Sequence, residues 1–158
     1  DLCRPLSVEV VFHPHAGTYV EAPFEIDALM DATPVELVGL CLDTGHAAYG
    51  GADPVDLARR YAQRIRHVHA KDVRGDLLNR ARQEGTDFIT AVGQGIFAPL
   101  GEGIVDFPSI VATLQQAGYQ GWYVLEQDIR LGPPWPEQDP LQNAKGSAAY
   151  LRQLLGIT

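Results

Sequence analysis

The sequence predicts an α/β fold of about four strand–helix units, which corresponds to half of a (β/α)8 barrel. First, apolar segments of strand length alternate with segments of helical period, a pattern that favours a parallel sheet covered by helices. Second, a full barrel needs about 250 residues for its eight units, and this chain has 158. Third, polar residues suited to catalysis follow the strands, where the active site of such a barrel lies. We therefore predict a single α/β domain over residues 1–158.

Four segments have the composition of buried strands. Residues 8–12 are rich in β-branched side chains, and residues 37–42 form a continuous apolar run, which is typical of a strand covered on both faces. Residues 65–73 alternate, with histidine and lysine side chains on one face and small apolar side chains on the other. Residues 122–126 form the fourth predicted strand.

Helices are predicted between these strands from their capping signals. Residues 22–31 place apolar side chains on one face and end before Thr33-Pro34. Asp53-Pro54 and Asp139-Pro140 each offer an N-cap aspartate followed by a proline. A further helix begins at Asp106 and ends before Gly118, and the last helix runs to about Leu155.

The segment 74–105 is predicted to be a long active-site loop. It is rich in glycine and shows little periodicity, apart from a possible short helix at residues 77–83.

Composition excludes several classes of protein. The chain is 46% hydrophobic and 20% charged, which is a globular composition. Its net charge of −8 opposes nucleic-acid binding, and no apolar run reaches the roughly 20 residues of a membrane span. Two cysteines cannot build a disulfide framework, so we expect a reducing, cytoplasmic location.

Candidate ligands for a divalent metal lie at the strand ends. Asp43, His69 and Glu126 each follow a different strand, and His13 or His15 supplies a fourth donor. Mixed carboxylate and imidazole ligands suit Mn²⁺, Co²⁺, Fe²⁺ or Zn²⁺. Such a cation would bind a hydroxyketone and acidify its neighbouring C–H bond.

Each candidate also has a purely structural interpretation. Asp43 could shape a turn or cap a helix, and Lys71 could be a solvated charge at a strand end. His67 is predicted to be a packing residue. For Glu126 we favour a functional role. It follows four apolar or aromatic residues, and burying a carboxylate there without a partner is unfavourable.

Several segments carry a family resemblance. They are HPHAGT at 13–18, LDTGH at 42–46, HVHAKDV at 67–73, PLGEG at 99–103 and GYQGW at 118–122. Together they resemble the inosose (2-keto-myo-inositol) dehydratase family, within the xylose-isomerase-like group of sugar isomerases and epimerases. The resemblance covers almost the whole chain and implies the C-terminal half of a TIM-type (β/α)8 barrel.

The resemblance also implies a divalent metal, Mn²⁺ or Co²⁺, with Zn²⁺, Fe²⁺ and Mg²⁺ as alternatives. It assigns three metal ligands to Asp43, His69 and Glu126. The first glutamate of the group falls at His13, or less closely at His15. This departure argues against the two-carboxylate proton shuttle of the epimerases and is compatible with a dehydration.

The implied activity is the dehydration of a cyclic keto-polyol in inositol catabolism, with a small polyol or keto-sugar as substrate. His15 or Glu126 is predicted to take the proton next to the keto group. His46 or Lys71 is predicted to protonate or orient the leaving hydroxyl, and Glu102 to lie on a loop that closes over the substrate.

Two other functions fit the same residues. One is a metal-dependent isomerase or epimerase of sugars or ketoses, and the other is a non-catalytic half-barrel that binds a polyol or a partner. An endonuclease of the same barrel superfamily is disfavoured by the net charge.

The chain supplies about half of a barrel and begins at Asp1, close to a strand. We therefore expect either a C-terminal fragment whose N-terminal half is missing or a homo-oligomer that covers the open sheet edges.

Overall fold

The computed structural model describes residues 2–132 and 139–157, and its centre is a parallel sheet. The strands are β1 (Val11–Phe12), β2 (Gly39–Asp43), β3 (Ile65–Ala70), β4 (Asp72–Val73), β5 (Phe97–Ala98) and β6 (Trp122–Leu125). Four of them form the parallel sheet in the order β1-β2-β3-β6, while β4 and β5 pair antiparallel beside it.

Helices connect and cover the strands. They are α1 (Pro23–Ala32), α2 (Thr44–Tyr49), α3 (Pro54–Tyr61), α4 (Gly75–Glu84), α5 (Phe88–Gly93), α6 (Phe107–Gln116) and α7 (Pro140–Leu155), after a short 3-10 helix at Arg4–Leu6. The alternation of parallel strands and helices amounts to about four βα units. The predicted partial barrel is therefore confirmed.

The predicted helix starts at Asp53, Asp106 and Asp139 are also confirmed. Each aspartate caps its helix by accepting a backbone N–H in the first turn, which satisfies a donor that the helix cannot pair itself. Gly118 follows α6 with φ of 77°, a left-handed conformation that glycine adopts without steric cost.

The main apolar core lies between the sheet and the helices. Leu42 of β2 and Val68 of β3 are 1% exposed and pack in one cluster with Ile110 and Leu114 of α6. Side chains alternate along a strand, so the neighbouring residues of β2 and β3 face the opposite, inner side of the sheet. This alternation places Cys41, Asp43 and His69 on the inner face.

Three strand predictions require correction. The first strand includes only Val11–Phe12, since the N–H of Val8 bonds back to the carbonyl of Cys3 and not to β2. The second begins at Gly39, since the N–H groups of residues 37 and 38 both bond to the carbonyl of Pro34 in a turn. The third ends at Ala70, and the chain then enters the separate pair through Asp72.

The prediction of a loop over most of 74–105 is wrong in its secondary structure. The predicted short helix is present as α4, and the segment adds helix α5 and strand β5. Local signals explain the difference: Gly85 ends α4 in a left-handed conformation, and Asp87 caps α5 by accepting the N–H of Thr90.

The carboxylate of Asp72 organises the turn that follows β5. Asp72 is fully buried, and its Oδ2 accepts the N–H groups of Gly101 and Gly103 at 2.9 Å each. Its Oδ1 accepts those of Val73 at 2.9 Å and Val105 at 3.0 Å. A Cβ at Gly103 would collide with this carboxylate, so the turn needs both a glycine and an aspartate.

Within residues 2–132 and 139–157, no helix combines the length and the apolar character that crossing a membrane requires.

We predict that Leu114→Ala lowers the free energy of unfolding by about 2–5 kcal/mol, because it removes buried contacts and leaves a cavity. Gln115→Ala is the matched control, since its side chain is exposed on the same helix, and it should change stability by less than about 0.5 kcal/mol. Urea denaturation measures both. Equal losses would mean that α6 does not pack through Leu114.

We also predict a graded response at Asp72. Asp72→Asn keeps one acceptor oxygen and should cost about 1–3 kcal/mol, whereas Asp72→Ala leaves all the backbone donors unpaired and should cost more. Asp76→Asn, at an exposed position of α4, is the control. Hydrogen exchange should accelerate at the amides of Gly101, Gly103 and Val105 in the Asp72 variants alone, and unchanged exchange there would contradict this role.

Candidate active site

The parallel register brings the predicted ligands to one end of the sheet. Asp43 pairs with His69, and His69 pairs with Val124. Glu126 extends β6 by donating its N–H to the carbonyl of Ala70 at 3.1 Å. His13 comes directly after β1 and reaches the same group of side chains.

Asp43 is the centre of this cluster. Its Oδ2 lies 3.2 Å from Nε2 of His13, 3.4 Å from Nδ1 of His69 and 3.3 Å from Nζ of Lys71. Burial disfavours its charged form, but the polar contacts of His13 and His69 and the charge of Lys71 outweigh burial and hold the pKa of Asp43 well below its ordinary value. The carboxylate is therefore ionised although it is only 3% exposed.

Asp43 also has the structural role that the sequence left open. Its Oδ1 accepts the N–H of His46 at 2.8 Å and caps the short helix α2, which the sequence did not predict. The two carboxylate oxygens thus have different roles: Oδ1 caps α2, and Oδ2 contacts His13, His69 and Lys71.

Lys71 is buried among carboxylates. Its Nζ lies 2.8 Å from Oε2 of Glu126, 3.1 Å from Oδ2 of Asp128 and 3.0 Å from Nε2 of His46. Burial lowers the pKa of Lys71, but the charges of Asp43, Asp128 and Glu126 and the hydrogen bond to Glu126 prevail and raise it above the ordinary value. The interpretation of Lys71 as a solvated strand-end charge is excluded by its 1% exposure.

Gly45 makes room for Lys71. A Cβ at Gly45 would lie 2.6 Å from Cδ and 2.9 Å from Cβ of Lys71, which is closer than such atoms pack. The first turn of α2 therefore rests directly on the lysine stem.

His46 lies between the backbone and this lysine. Its Nδ1 accepts the N–H of Ala16 at 3.3 Å. Burial lowers the pKa of His46 to about 3, with Lys71 contributing and Asp43 opposing. The ring is therefore neutral at neutral pH, which suits a residue that orients its neighbours better than one that donates a proton as imidazolium.

The two histidines of the first motif have different partners, although their ring centroids lie 5.5 Å apart. His13 contacts Asp43, whereas the ring of His15 stacks on His46 with the ring centroids 3.7 Å apart. Phe88 of α5 packs against both His15 and His46, at centroid distances of 5.5 and 5.2 Å. The segment 74–105 therefore reaches the cluster through an aromatic side chain.

Glu102 is not joined to the cluster. It lies exposed on the turn that Asp72 holds, and among the described residues its side chain makes no hydrogen bond or ion pair. Its predicted contact with substrate remains a prediction.

Two further side chains lie beside the cluster and were not predicted as metal ligands or catalytic residues. Asp128 follows Glu126 by two positions and pairs with Lys71, and Cys41 precedes Asp43 by two positions on the same face of β2. The alternation of a strand was the available signal for Cys41. His67 is half-buried near His69 and outside every group of donors that could hold a metal among the described residues.

The donor set fits a divalent cation. Asp43, His69 and Glu126 offer ligand atoms that all lie within 4.8 Å of one another, and His13, Asp43 and His46 form an overlapping group. Oε2 of Glu126 already has Lys71 at 2.8 Å, but the buried Nδ1 of His69 lies 3.3 Å from that oxygen and 3.4 Å from Asp43 without a hydrogen bond of ordinary geometry. Buried polar atoms usually have such a bond, and a cation held by this nitrogen and the two carboxylates would satisfy it.

Comparisons with known proteins agree with this fold. The chain is 49% identical to an inosose dehydratase of Geobacillus kaustophilus (strain HTA426), over 85% of this chain and 44% of that protein. It is 50% identical to the rhizopine catabolism protein MocC of Rhizobium meliloti, over 85% of this chain and 38% of that protein. The chain thus spans about half the length of the curated relatives it matches.

Solved structures show the same architecture. The probable 3-DHS dehydratase AsbF from Bacillus anthracis superposes with a TM-score of 0.66 at 19% identity, over 96% of this chain and 51% of that chain. An L-ribulose 3-epimerase gives a TM-score of 0.66 at 19% identity, over 97% and 49%. At this identity the likeness is one of fold. The model of the xylose isomerase-like TIM barrel family matches residues 1–154, and the chain therefore belongs to that family.

Proposed function

We propose that this chain carries the metal site and proton-transfer residues of a dehydratase acting on a cyclic keto-polyol of the 2-keto-myo-inositol type. The observation that carries the proposal is the convergence of His13, His69 and Lys71 on one oxygen of Asp43, at 3.2–3.4 Å. The relatives named inosose dehydratase, and the one named for rhizopine catabolism, support the choice of substrate class.

Asp43, His69, Glu126 and His13 would hold a divalent cation, and their imidazole and carboxylate donors suit Mn²⁺ or Co²⁺. When bound, such a cation polarises a keto oxygen and so acidifies the neighbouring C–H bond.

Residues of the same cluster supply the proton transfers. Glu126 or His15 takes the proton from the carbon next to the keto group, and the C–O bond on the following carbon breaks. The departing hydroxyl accepts a proton from the ammonium of Lys71 and leaves as water. One proton is taken and one is given, so the net change is the loss of one water molecule.

The groups around Lys71 keep it protonated, as a proton donor must be. Three carboxylates within 3.3 Å maintain its charge, and the neutral ring of His46 packs beside its Nζ. Phe88 lies against His15 and His46. We infer that the segment 74–105 borders the bound substrate and helps to exclude water.

We predict that Asp43→Asn abolishes metal binding while the fold is kept. Asparagine still caps α2, but it removes the charge at the centre of the cluster. Because loss of a supporting partner alone costs about 10–100-fold in metal affinity, loss of this ligand should cost at least about 100-fold. Electron paramagnetic resonance of Mn²⁺ measures the free and bound ion.

Asp53→Asn is the matched control, because Asp53 caps α3 in the same way by accepting the N–H of Val55 at 2.8 Å. It should bind Mn²⁺ like the unaltered chain. If Asp43→Asn retained full affinity, Asp43 would be only a helix cap.

We further predict that the chain supplied with Mn²⁺ or Co²⁺ converts 2-keto-myo-inositol into a conjugated dione with ultraviolet absorption. Lys71→Gln should lower kcat by about 10²–10⁴-fold, the usual contribution of a proton-transferring group. The exposed lysine of α7 provides the control variant Lys145→Gln, which should keep the full rate.

Mass spectrometry distinguishes the alternative reaction. A product that has lost one water supports dehydration, whereas a new product of unchanged mass would identify the chain as an isomerase or epimerase. An unchanged rate in Lys71→Gln would remove Lys71 from the mechanism.

A further inference from the structure

We propose that His13, Cys41 and His69 form a second metal-binding arrangement that takes a thiophilic divalent cation such as Zn²⁺ or Cd²⁺. Their donor atoms, two imidazole nitrogens and one sulfur, all lie within 4.8 Å of one another. They belong to three neighbouring strands or follow directly after them, so the rigid sheet sets their separation.

The register of the sheet explains how the thiol enters the group. Cys41 precedes Asp43 by two positions and therefore points to the same inner face of β2. It pairs across the sheet with His67, two residues before the Asp43–His69 pair. Cys41 thus lies beside the carboxylate cluster, displaced along the strand toward its N-terminal end.

The three side chains differ in exposure in a way that allows entry. Cys41 is 2% exposed, whereas the side chains of His13 and His69 are 31% and 19% exposed. A cation arriving from the open inner face therefore meets the imidazoles first and the sulfur behind them.

The chemistry of this group differs from that of the carboxylate set. One sulfur and two imidazoles suit Zn²⁺ and softer cations, while carboxylates with imidazoles suit Mn²⁺. On binding, the thiol of Cys41 loses its proton to solvent and a sulfur–metal bond forms, with no change of oxidation state. Three protein donors leave a fourth position for water.

The two arrangements share His13 and His69. A thiophilic cation at Cys41 therefore withdraws two ligands from the Mn²⁺ site and should displace that ion. The inference rests on the proposed function only in naming Mn²⁺ as the competitor, because binding at Cys41 is measured without it.

The first test is a titration of the metal-free chain with CdCl₂, followed by the thiolate-to-cadmium charge-transfer absorption in the ultraviolet. The unaltered chain should develop this band. Cys3→Ser is the matched control, since Cys3 is the other cysteine and lies outside every group of donors found among the described residues, and it should keep the band.

Cys41→Ser should lose the band, and Cys41→Ala provides a second variant should the buried hydroxyl disturb folding, which circular dichroism reports. Absence of the band from the unaltered chain would overturn the site. So would a band that persists in the Cys41 variants and disappears in Cys3→Ser.

The second test measures competition by the resonance signal of free Mn²⁺. CdCl₂ should release bound Mn²⁺ from the unaltered chain and from Cys3→Ser. In Cys41→Ser the required CdCl₂ concentration should rise at least about 100-fold, because loss of a ligand exceeds the 10–100-fold effect of losing a supporting partner. Mn²⁺ that stays bound while the sulfur band forms would refute the sharing of ligands.

Discussion

The buried charge of Asp43 is the constraint on which the site depends. An ionised carboxylate with 3% exposure is stable only where donors and cations surround it. The parallel sheet provides them, because residues on or just after β1 and β3 reach the end of β2. His13, His69 and Lys71 approach one oxygen of Asp43, and the N–H of His46 bonds to the other. The position of Asp43 at the end of β2 thus determines where α2, the two histidines and Lys71 lie.

Charge balance continues outward from this carboxylate. Lys71 faces Asp43, Glu126 and Asp128, so the described cluster carries more negative than positive charge when the histidines are neutral. That surplus favours a divalent cation, which would offset it and would satisfy the buried Nδ1 of His69, a nitrogen without a hydrogen bond of ordinary geometry. The same histidines also face the thiol of Cys41, so the sheet offers hard and soft donors within one small region.

Much of this arrangement could be predicted from the sequence, because periodicity and capping are local properties. The helices that begin at aspartate and the positions of Asp43, His69 and Glu126 at strand ends follow from them. Features set by distant contacts could not be predicted. The shortening of the first strand depends on the bond from the N–H of Val8 to the carbonyl of Cys3, and the packing of His15 on His46 depends on how the chain turns after Phe12. The part played by Asp72 depends on amides about 30 positions away.

The contact between Gly45 and Lys71 has a consequence for how this chain can vary. Because the lysine stem occupies the volume of any side chain at position 45, the two positions form one steric unit although they belong to separate motifs. A larger residue at 45 becomes compatible only with a shorter residue at 71, and the ammonium is then lost. The motifs at 42–46 and 67–73 are therefore two halves of a single structural element, and an alignment of related chains should show them changing together or not at all.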